Sequence, residues 1–190
     1  MIQQKKIQRQ HLRKVRCELT PAIRQEQSRR IVACIEQHPL FQSAKVVVCY
    51  ASLPEEVDLF PLLRRWGSEK TLLLPVVNGD MLNLVPYEGD NMLRTAKFGV
   101  LEPVGEPFND LSAVNLVLVP GLGFDVRGGR MGFGRGFYDR LLSNPQMLTT
   151  PKWGIAFAEQ IVPEIIMEPH DVFLDAIVSP GGVHVVSRFA

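Results

Sequence analysis

Residues 121–139 read GLGFDVRGGRMGFGRGFYD, and seven of the chain's 15 glycines lie between Gly121 and Gly136. Glycine loses more backbone entropy on folding than any other residue, so a run this dense points to left-handed turns or to a backbone that comes close to a ligand. An apolar run, 115–119, leads into it and ends at Pro120. The segment after it, Phe-Tyr-Asp-Arg-Leu-Leu at 137–142, predicts a helix. The order is strand, long glycine loop, helix.

A loop that ends at a helix N-terminus directs free N–H groups and the positive end of the dipole outward, which suits phosphate. Arg127, Arg130 and Arg135 alternate with the glycines, and arginine grips phosphate oxygens in a bidentate fork. Asp125 and Asp139 offer the hard oxygen donors that Mg²⁺ prefers. No Gly-Lys-Ser/Thr follows, so the loop is not a Walker A loop. Gly132, Gly134 and Gly136 are spaced by two, so it is not the dinucleotide fingerprint either. The alternative is an ordinary glycine-rich connection. The coincidence of glycines, arginines and a helix start favours a phosphate site.

With 190 residues, 46% hydrophobic and 22% charged, the chain predicts one globular domain over 1–190 with a sizeable core. A net charge of +1 gives no field that would recruit nucleic acid or a membrane surface. Small molecules are the expected partners, and a monomer the expected state. Cys17, Cys34 and Cys49 are odd in number, far apart and without a CxxC pair. They predict reduced thiols in the cytoplasm and no zinc site. No apolar run approaches membrane-spanning length.

Taken in order, residues 4–19 predict an amphipathic helix, with Leu12, Val15 and Leu19 as the apolar stripe. Lys6, Arg9, Arg13 and Arg16 form a basic stripe beside it. Three readings stand open for these cations: a solvated face, an organelle-targeting presequence, or contact with a polyanionic ligand. Spacing alone favours the solvated face. Thr20-Pro21 predicts the cap and first position of a second helix running to about His38-Pro39, with Ile31, Cys34 and Ile35 inward. The run 45–51 predicts a buried parallel strand. Asp58 is then expected to cap a helix through Trp66, with Pro61 in its first turn. Strands are expected at 71–77 and 82–87 around the Asn78-Gly79-Asp80 turn. Residues 88–114 read as a structured excursion, in which Lys97 is a solvated lysine or a phosphate ligand. Short strands follow at 153–158, within 170–178 and at 183–187. His170, Asp171 and Asp175 match no standard metal spacing. Alternating strands and helices predict an α/β domain of three layers, α/β/α, with a largely parallel central sheet.

The stretch from Val119-Pro-Gly-Leu-Gly-Phe-Asp125 through Gly129-Arg-Met-Gly-Phe-Gly-Arg-Gly-Phe-Tyr-Asp139 resembles the hallmark of the 5-formyltetrahydrofolate cyclo-ligase family. That hallmark runs roughly PGLAFD…G.RLG.G.GYYD. The resemblance extends to the basic N-terminal helix, to 52–58 with its paired acids, to 97–103 and to 171–177. It implies an enzyme that converts 5-formyltetrahydrofolate and ATP, with Mg²⁺, into 5,10-methenyltetrahydrofolate, ADP and phosphate. Phosphorylation of the formyl oxygen would make it a leaving group, and the folate N10 would attack. Both nucleophiles belong to the substrates, so the protein's work would be positioning and charge neutralisation.

Position by position, the resemblance makes residues 9–13, with Arg9 and Arg13, an ATP-binding element. Arg9 stands where many relatives have lysine. Arg130, Met131, Gly132, Phe133, Gly134, Arg135, Gly136, Phe137 and Tyr138 become the nucleotide loop, with Arg135 and Arg130 as the catalytic cations. Phe133, Gly134, Arg135, Gly136 and Phe137 would also touch the folate, as would Ala51 and Glu56. Glu56 would accept hydrogen bonds from pterin N–H groups. Asp139 and Asp175 become the Mg²⁺ positions. Phe137 replaces the first tyrosine of the usual pair, which removes a hydroxyl and keeps a ring. A non-catalytic folate- or nucleotide-binding homologue is the alternative, supported only by the changes at Arg9 and Phe137. A family homologue acting on a different, thiamine-related substrate is opposed by Glu56 and the intact 130–139 loop.

Overall fold

The computed structural model of the protein describes residues 2–96 and 99–186. The chain opens with α1 (Ile2–Glu18), then α2 (Pro21–Gln37). Thr20 caps α2 as its sequence predicts: its hydroxyl accepts the Ile23 N–H at 3.3 Å, and Pro21 fills the first turn. A short α3 (Pro39–Ser43) follows, which the sequence reading missed. His38 ends α2 and its Nδ1 accepts the Leu40 N–H, so one residue closes one helix and opens the next.

Next come β1 (Val46–Val48), α4 (Phe60–Trp66), β2 (Thr71–Asn78) and β3 (Met81–Pro86). Asp58 caps α4 from one position farther out than expected, with Oδ1 accepting the Phe60 N–H at 2.9 Å. The β2–β3 hairpin turns at Gly79-Asp80, with Gly79 at φ +59°. The excursion carries a separate ribbon, β4 (Leu93–Thr95) against β5 (Leu101–Pro103). Lys97 lies outside the described residues, as does Ser187 at the end of the last expected strand. The chain continues with β6 (Leu116–Val119), β7 (Gly123–Phe124), β8 (Arg130–Met131), α5 (Phe137–Leu142), β9 (Lys152–Ile155), β10 (Ala176–Ser179) and β11 (Gly182–Val185).

The main sheet has seven strands in the order β11-β10-β9-β6-β1-β2-β3. The five inner strands are parallel, and the two edge strands pair antiparallel. Strand periodicity sends successive side chains to opposite faces. Val47, Leu72, Leu118 and Val178 meet Ile31, Ile35, Phe41 and Leu63 from α2, α3 and α4 on one face. Val48, Leu73, Val117 and Ile177 meet Leu141 and Leu142 of α5 on the other. This is the expected three-layer α/β/α fold, with both faces of the sheet buried. No helix among the described residues is long and apolar enough to cross a membrane.

The glycine stretch is more ordered than a loop. β7 pairs antiparallel with β8 as a small separate hairpin at the carboxyl end of β6. Gly128, at φ +86°, passes so close to the Leu174 backbone that a Cβ would overlap its carbonyl oxygen. Gly128→Ala should therefore destabilise the protein by more than about 2 kcal/mol. Gly79→Ala, with a similar φ but open space around it, should cost only about 1 kcal/mol. Urea unfolding of the two variants measures the difference.

Candidate functional site

Asp125 shapes the glycine segment. It is 1% exposed. Its Oδ1 accepts the Arg127 N–H at 2.9 Å and the Gly129 N–H at 3.0 Å, and its Oδ2 accepts the Ile165 N–H at 2.7 Å. The carboxylate is thus committed to holding the β7–β8 turn against 165. This corrects its reading as a Mg²⁺ ligand. Arg127 is corrected too: its guanidinium pairs with Glu164 at 2.9 Å and with Asp125 at 3.5 Å, on the outside of the turn.

α1 lies along the far side of this segment. Leu12 is 1% exposed and packs with Leu122, Met131 and Ile165. A Cβ on Gly123 would sit 2.7 Å from the Leu12 methyls, so glycine lets the helix approach. Gln8 exchanges hydrogen bonds with the 164–166 backbone. Arg9 Nε donates to the Gly132 carbonyl and Arg13 Nη2 to the Phe133 carbonyl, both at 3.2 Å. The basic stripe is therefore not simply a solvated face: Arg9 and Arg13 reach the loop that follows β8.

Lys5 is buried and ion-paired with Glu168 at 2.9 Å and with Asp171. Burial opposes its charge, but the two carboxylates outweigh that and hold its pKa above the usual lysine value. Glu168, His170 and Asp171 come together in space, and the lysine ammonium takes the place a cation would have.

Within the loop, Arg130 is 5% exposed and pairs with Asp139 at 2.8 Å. Its Nη1 reaches the Pro120 carbonyl at 3.4 Å, and its guanidinium carbon lies 5.7 Å from the centre of the Tyr138 ring. Met131 is buried. Gly134 and Gly136 take φ +102° and +68°, backbone conformations that a side chain would strain. Arg135 is exposed, and its carbonyl accepts from Arg140 at 2.9 Å. Arg140 also covers the Phe137 ring at 5.4 Å and donates to the Asp80 carbonyl, tying α5 to the β2–β3 turn. α5 has only six residues, so the arginines rather than its dipole supply the positive charge.

Ala51 lies buried just past the carboxyl end of β1. Glu56 follows in a tight turn, where its Oε2 accepts the Leu53 N–H at 3.0 Å. Burial pushes the Glu56 carboxyl pKa up, while the Leu53 N–H and the Arg16 charge hold it down. Arg16 is the residue the sequence reading left out of the site. It is 7% exposed, its Nη1 lies 3.6 Å from Glu56 Oε1, and its Cζ is 5.2 Å from the Phe133 ring centre. A signal was present: Arg16 stands four residues after Leu12 and three before Leu19, in line with the apolar stripe.

Asp175 is placed elsewhere. It precedes β10 at the amino end of the parallel strands, where its Oδ2 accepts the Lys152 N–H at 2.9 Å. Asp139 hangs from α5 beside Arg130, and its Oδ1 is 3.5 Å from the Val172 N–H.

Among the described residues, the buried side-chain atoms without a hydrogen-bond partner are Arg16 Nε and Nη1, Arg130 Nε and the Tyr138 hydroxyl. Each such atom costs about 1–3 kcal/mol, and native folds rarely leave them so. All three residues lie around Glu56 and the loop. Burial, followed by the Glu56 charge, pushes the Tyr138 phenol pKa up. Surface hollows of about 370 Å³ near Asn115 and about 220 Å³ near His184 lie away from these atoms. The site is marked by its unused donors.

The sequence model of the 5-formyltetrahydrofolate cyclo-ligase family matches residues 1–180. The chain belongs to the 5-formyltetrahydrofolate cyclo-ligase family. It is 31% identical to the 5-formyltetrahydrofolate cyclo-ligase of Escherichia coli strain K12 over 179 residues, covering 90% of this chain and 98% of that one. It is 32% identical to the enzyme of that name from Haemophilus influenzae over 174 residues, covering 86% and 91%. The solved structure of Aquifex aeolicus 5,10-methenyltetrahydrofolate synthetase superposes with a TM-score of 0.86 at 32% identity, covering 98% of this chain and 94% of that one. The 119–139 stretch holds the Asp125 turn and the Arg130–Asp139 pair, so it carries the framework and the open donors of Arg130 and Tyr138, while Arg16 adds its own from α1.

Asp125→Ala should lower stability by roughly 3 kcal/mol, since it strands three backbone N–H groups. Arg127→Ala should leave stability nearly unchanged, as exposed ion pairs contribute little. Denaturant unfolding compares them.

Proposed function

We propose that the protein is an ATP- and Mg²⁺-dependent 5-formyltetrahydrofolate cyclo-ligase that forms 5,10-methenyltetrahydrofolate with release of ADP and phosphate. The observation that carries the reading, beside family membership, is the gathering of unpartnered buried donors at Arg16, Arg130 and Tyr138 around Glu56. A pocket built for two polar ligands leaves such atoms to be satisfied when the ligands arrive.

In this reading the pterin lies against Glu56, past Ala51, with Phe133 and Phe137 offering ring faces. ATP lies along the loop, with Arg9 and Arg13 supplying charge from α1. Both arginines use one donor each to fix the loop carbonyls, and a guanidinium has five N–H donors in all. Arg135, exposed on the loop, neutralises the transferring phosphoryl group. Arg130 stands behind it and holds Asp139. Asp139 suits Mg²⁺ by its chemistry: Oδ1 serves Arg130, and Oδ2 accepts no hydrogen bond among the described residues. Asp175 lies at the opposite, amino end of the parallel strands, against the Lys152 N–H, and does not join it. The bound ion would neutralise phosphate charge.

The formyl oxygen is a poor leaving group until it takes the γ-phosphoryl of ATP. N10 of the same folate then attacks the activated carbon, the C–O bond breaks, phosphate leaves with the oxygen, and the N10 proton is lost to the departing phosphate or to water. The protein supplies orientation and charge, and needs no nucleophile of its own. Cys49 agrees with this: it is fully buried, and burial raises its thiol pKa far above the range where a thiolate forms.

Arg135→Ala should cut kcat by roughly 100-fold or more while the circular dichroism stays native. Glu56→Gln should raise the KM for the folate by about 10-fold or more and leave the KM for ATP within about 3-fold. Full activity in the first variant, or equal losses for both substrates in the second, would overturn these placements.

A further inference from the structure

Arg16 sits in the last turn of α1 with its guanidinium buried, yet Nε and Nη1 donate to nothing. Its nearest countercharge is Glu56 Oε1 at 3.6 Å, beyond hydrogen-bond length. A buried arginine and carboxylate ordinarily close to about 2.8 Å in a fork. Here the 53–56 turn holds the carboxylate back, because Oε2 is tied to the Leu53 N–H at 3.0 Å. Oε1 accepts no hydrogen bond among the described residues. Phe133 covers the guanidinium from the nucleotide loop. The protein thus presents an unused charged donor and an unused charged acceptor side by side, both shielded from water.

That pair complements a planar group that carries C=O next to N–H, which is a lactam edge. The pterin ring of the proposed substrate has one, its 4-oxo oxygen beside N3–H. Resting on the cyclo-ligase reading, we propose that Arg16 and Glu56 together read this lactam edge, Arg16 donating to the 4-oxo oxygen and Glu56 accepting from N3–H. Arg16 is then a specificity-determining residue. A 4-amino pteridine turns a donor toward a donor at this point and leaves the buried guanidinium unmatched. The selection is made by an unpaired charge as much as by an attractive contact.

The pair is also coupled electrostatically. Besides Arg16, the groups that face Glu56 are Glu55 beside it, Tyr50 at the end of β1 and Tyr138 on α5. Neither the acid nor the neutral phenols favour the ionised carboxylate; the Leu53 N–H and, after it, the Arg16 charge do. An acid whose pKa is raised is charged only above that pKa. Removing Arg16 moves the Glu56 carboxyl pKa farther up, so binding of the 4-oxo folate in the variant should weaken as pH falls and recover as it rises.

The test is calorimetric binding of two folate analogues that differ only in a 4-oxo or 4-amino group, to the intact protein and to Arg16→Met and Arg16→Lys. The intact protein should prefer the 4-oxo compound by roughly 10- to 100-fold. Arg16→Met should bring the two within about 3-fold, and its 4-oxo affinity should drop further as the pH is lowered. Arg16→Lys keeps a charge beside Glu56 without the planar fork, so it should keep the pH profile and recover only part of the preference. It also serves if the methionine variant fails to fold. An unchanged preference in Arg16→Met, or in Arg16→Lys where only that variant folds, would overturn the proposal. So would equal weakening of both analogues and of ATP. Absence of methenyltetrahydrofolate formation by the intact protein would sink the cyclo-ligase reading instead, and the binding ratio is measured without turnover.

Discussion

One buried carboxylate sets the frame on which the site depends. Asp125 takes three backbone N–H groups, two from its own turn and one from residue 165. A buried charge of this kind is tolerable only when its oxygens are hydrogen-bonded. Once it is, the β7–β8 hairpin is pinned to the segment that follows β9. The loop after the hairpin can then project from a fixed base. α1 can bring its arginines to the carbonyls of Gly132 and Phe133 because those carbonyls are already in place. Gly123 and Gly128 matter for the same reason. At each, a Cβ would push away the neighbour that closes the frame, Leu12 in one case and the Leu174 backbone in the other.

The site itself is built to the opposite rule. Asp125 has its partners; Arg16, Arg130 and Tyr138 lack some of theirs. Among the described residues, the buried polar atoms left unsatisfied gather where two strands end and the loop begins. Open α/β sheets bind ligands at the carboxyl ends of their strands. Such atoms lower the stability of the empty protein, and a ligand that satisfies them gains what the fold gave up. Preorganised donors of this kind are worth more in a buried site than in water.

Much of the frame was legible in the sequence because it rests on local chemistry. The Thr20-Pro21 cap, the Gly79-Asp80 turn and the 137–142 helix are each set by residues that touch one another along the chain. α3 was not legible, because His38-Pro39 reads as an ending and also serves as a beginning. The roles of Asp125 and Arg127 escaped for a different reason. A carboxylate and an arginine within a glycine loop suit a metal and a phosphate equally well as they suit a turn and Glu164. Only the fold, by bringing 164–165 to the hairpin, decides between them. Arg16 shows the limit most clearly. It belonged at once to a basic stripe and, by its spacing from Leu12 and Leu19, to the buried face. The cause of its burial, Phe133 and Glu56, lies 117 and 40 residues away.

In the proposed function these unsatisfied donors are the two halves of one ligase site. The most direct measurement mixes the purified protein with 5-formyltetrahydrofolate and Mg²⁺, with and without ATP, and follows the near-ultraviolet absorbance of methenyltetrahydrofolate. A rise that requires ATP is the predicted result. No rise, with calorimetry still detecting both ligands, would contradict it and leave a binding protein in its place.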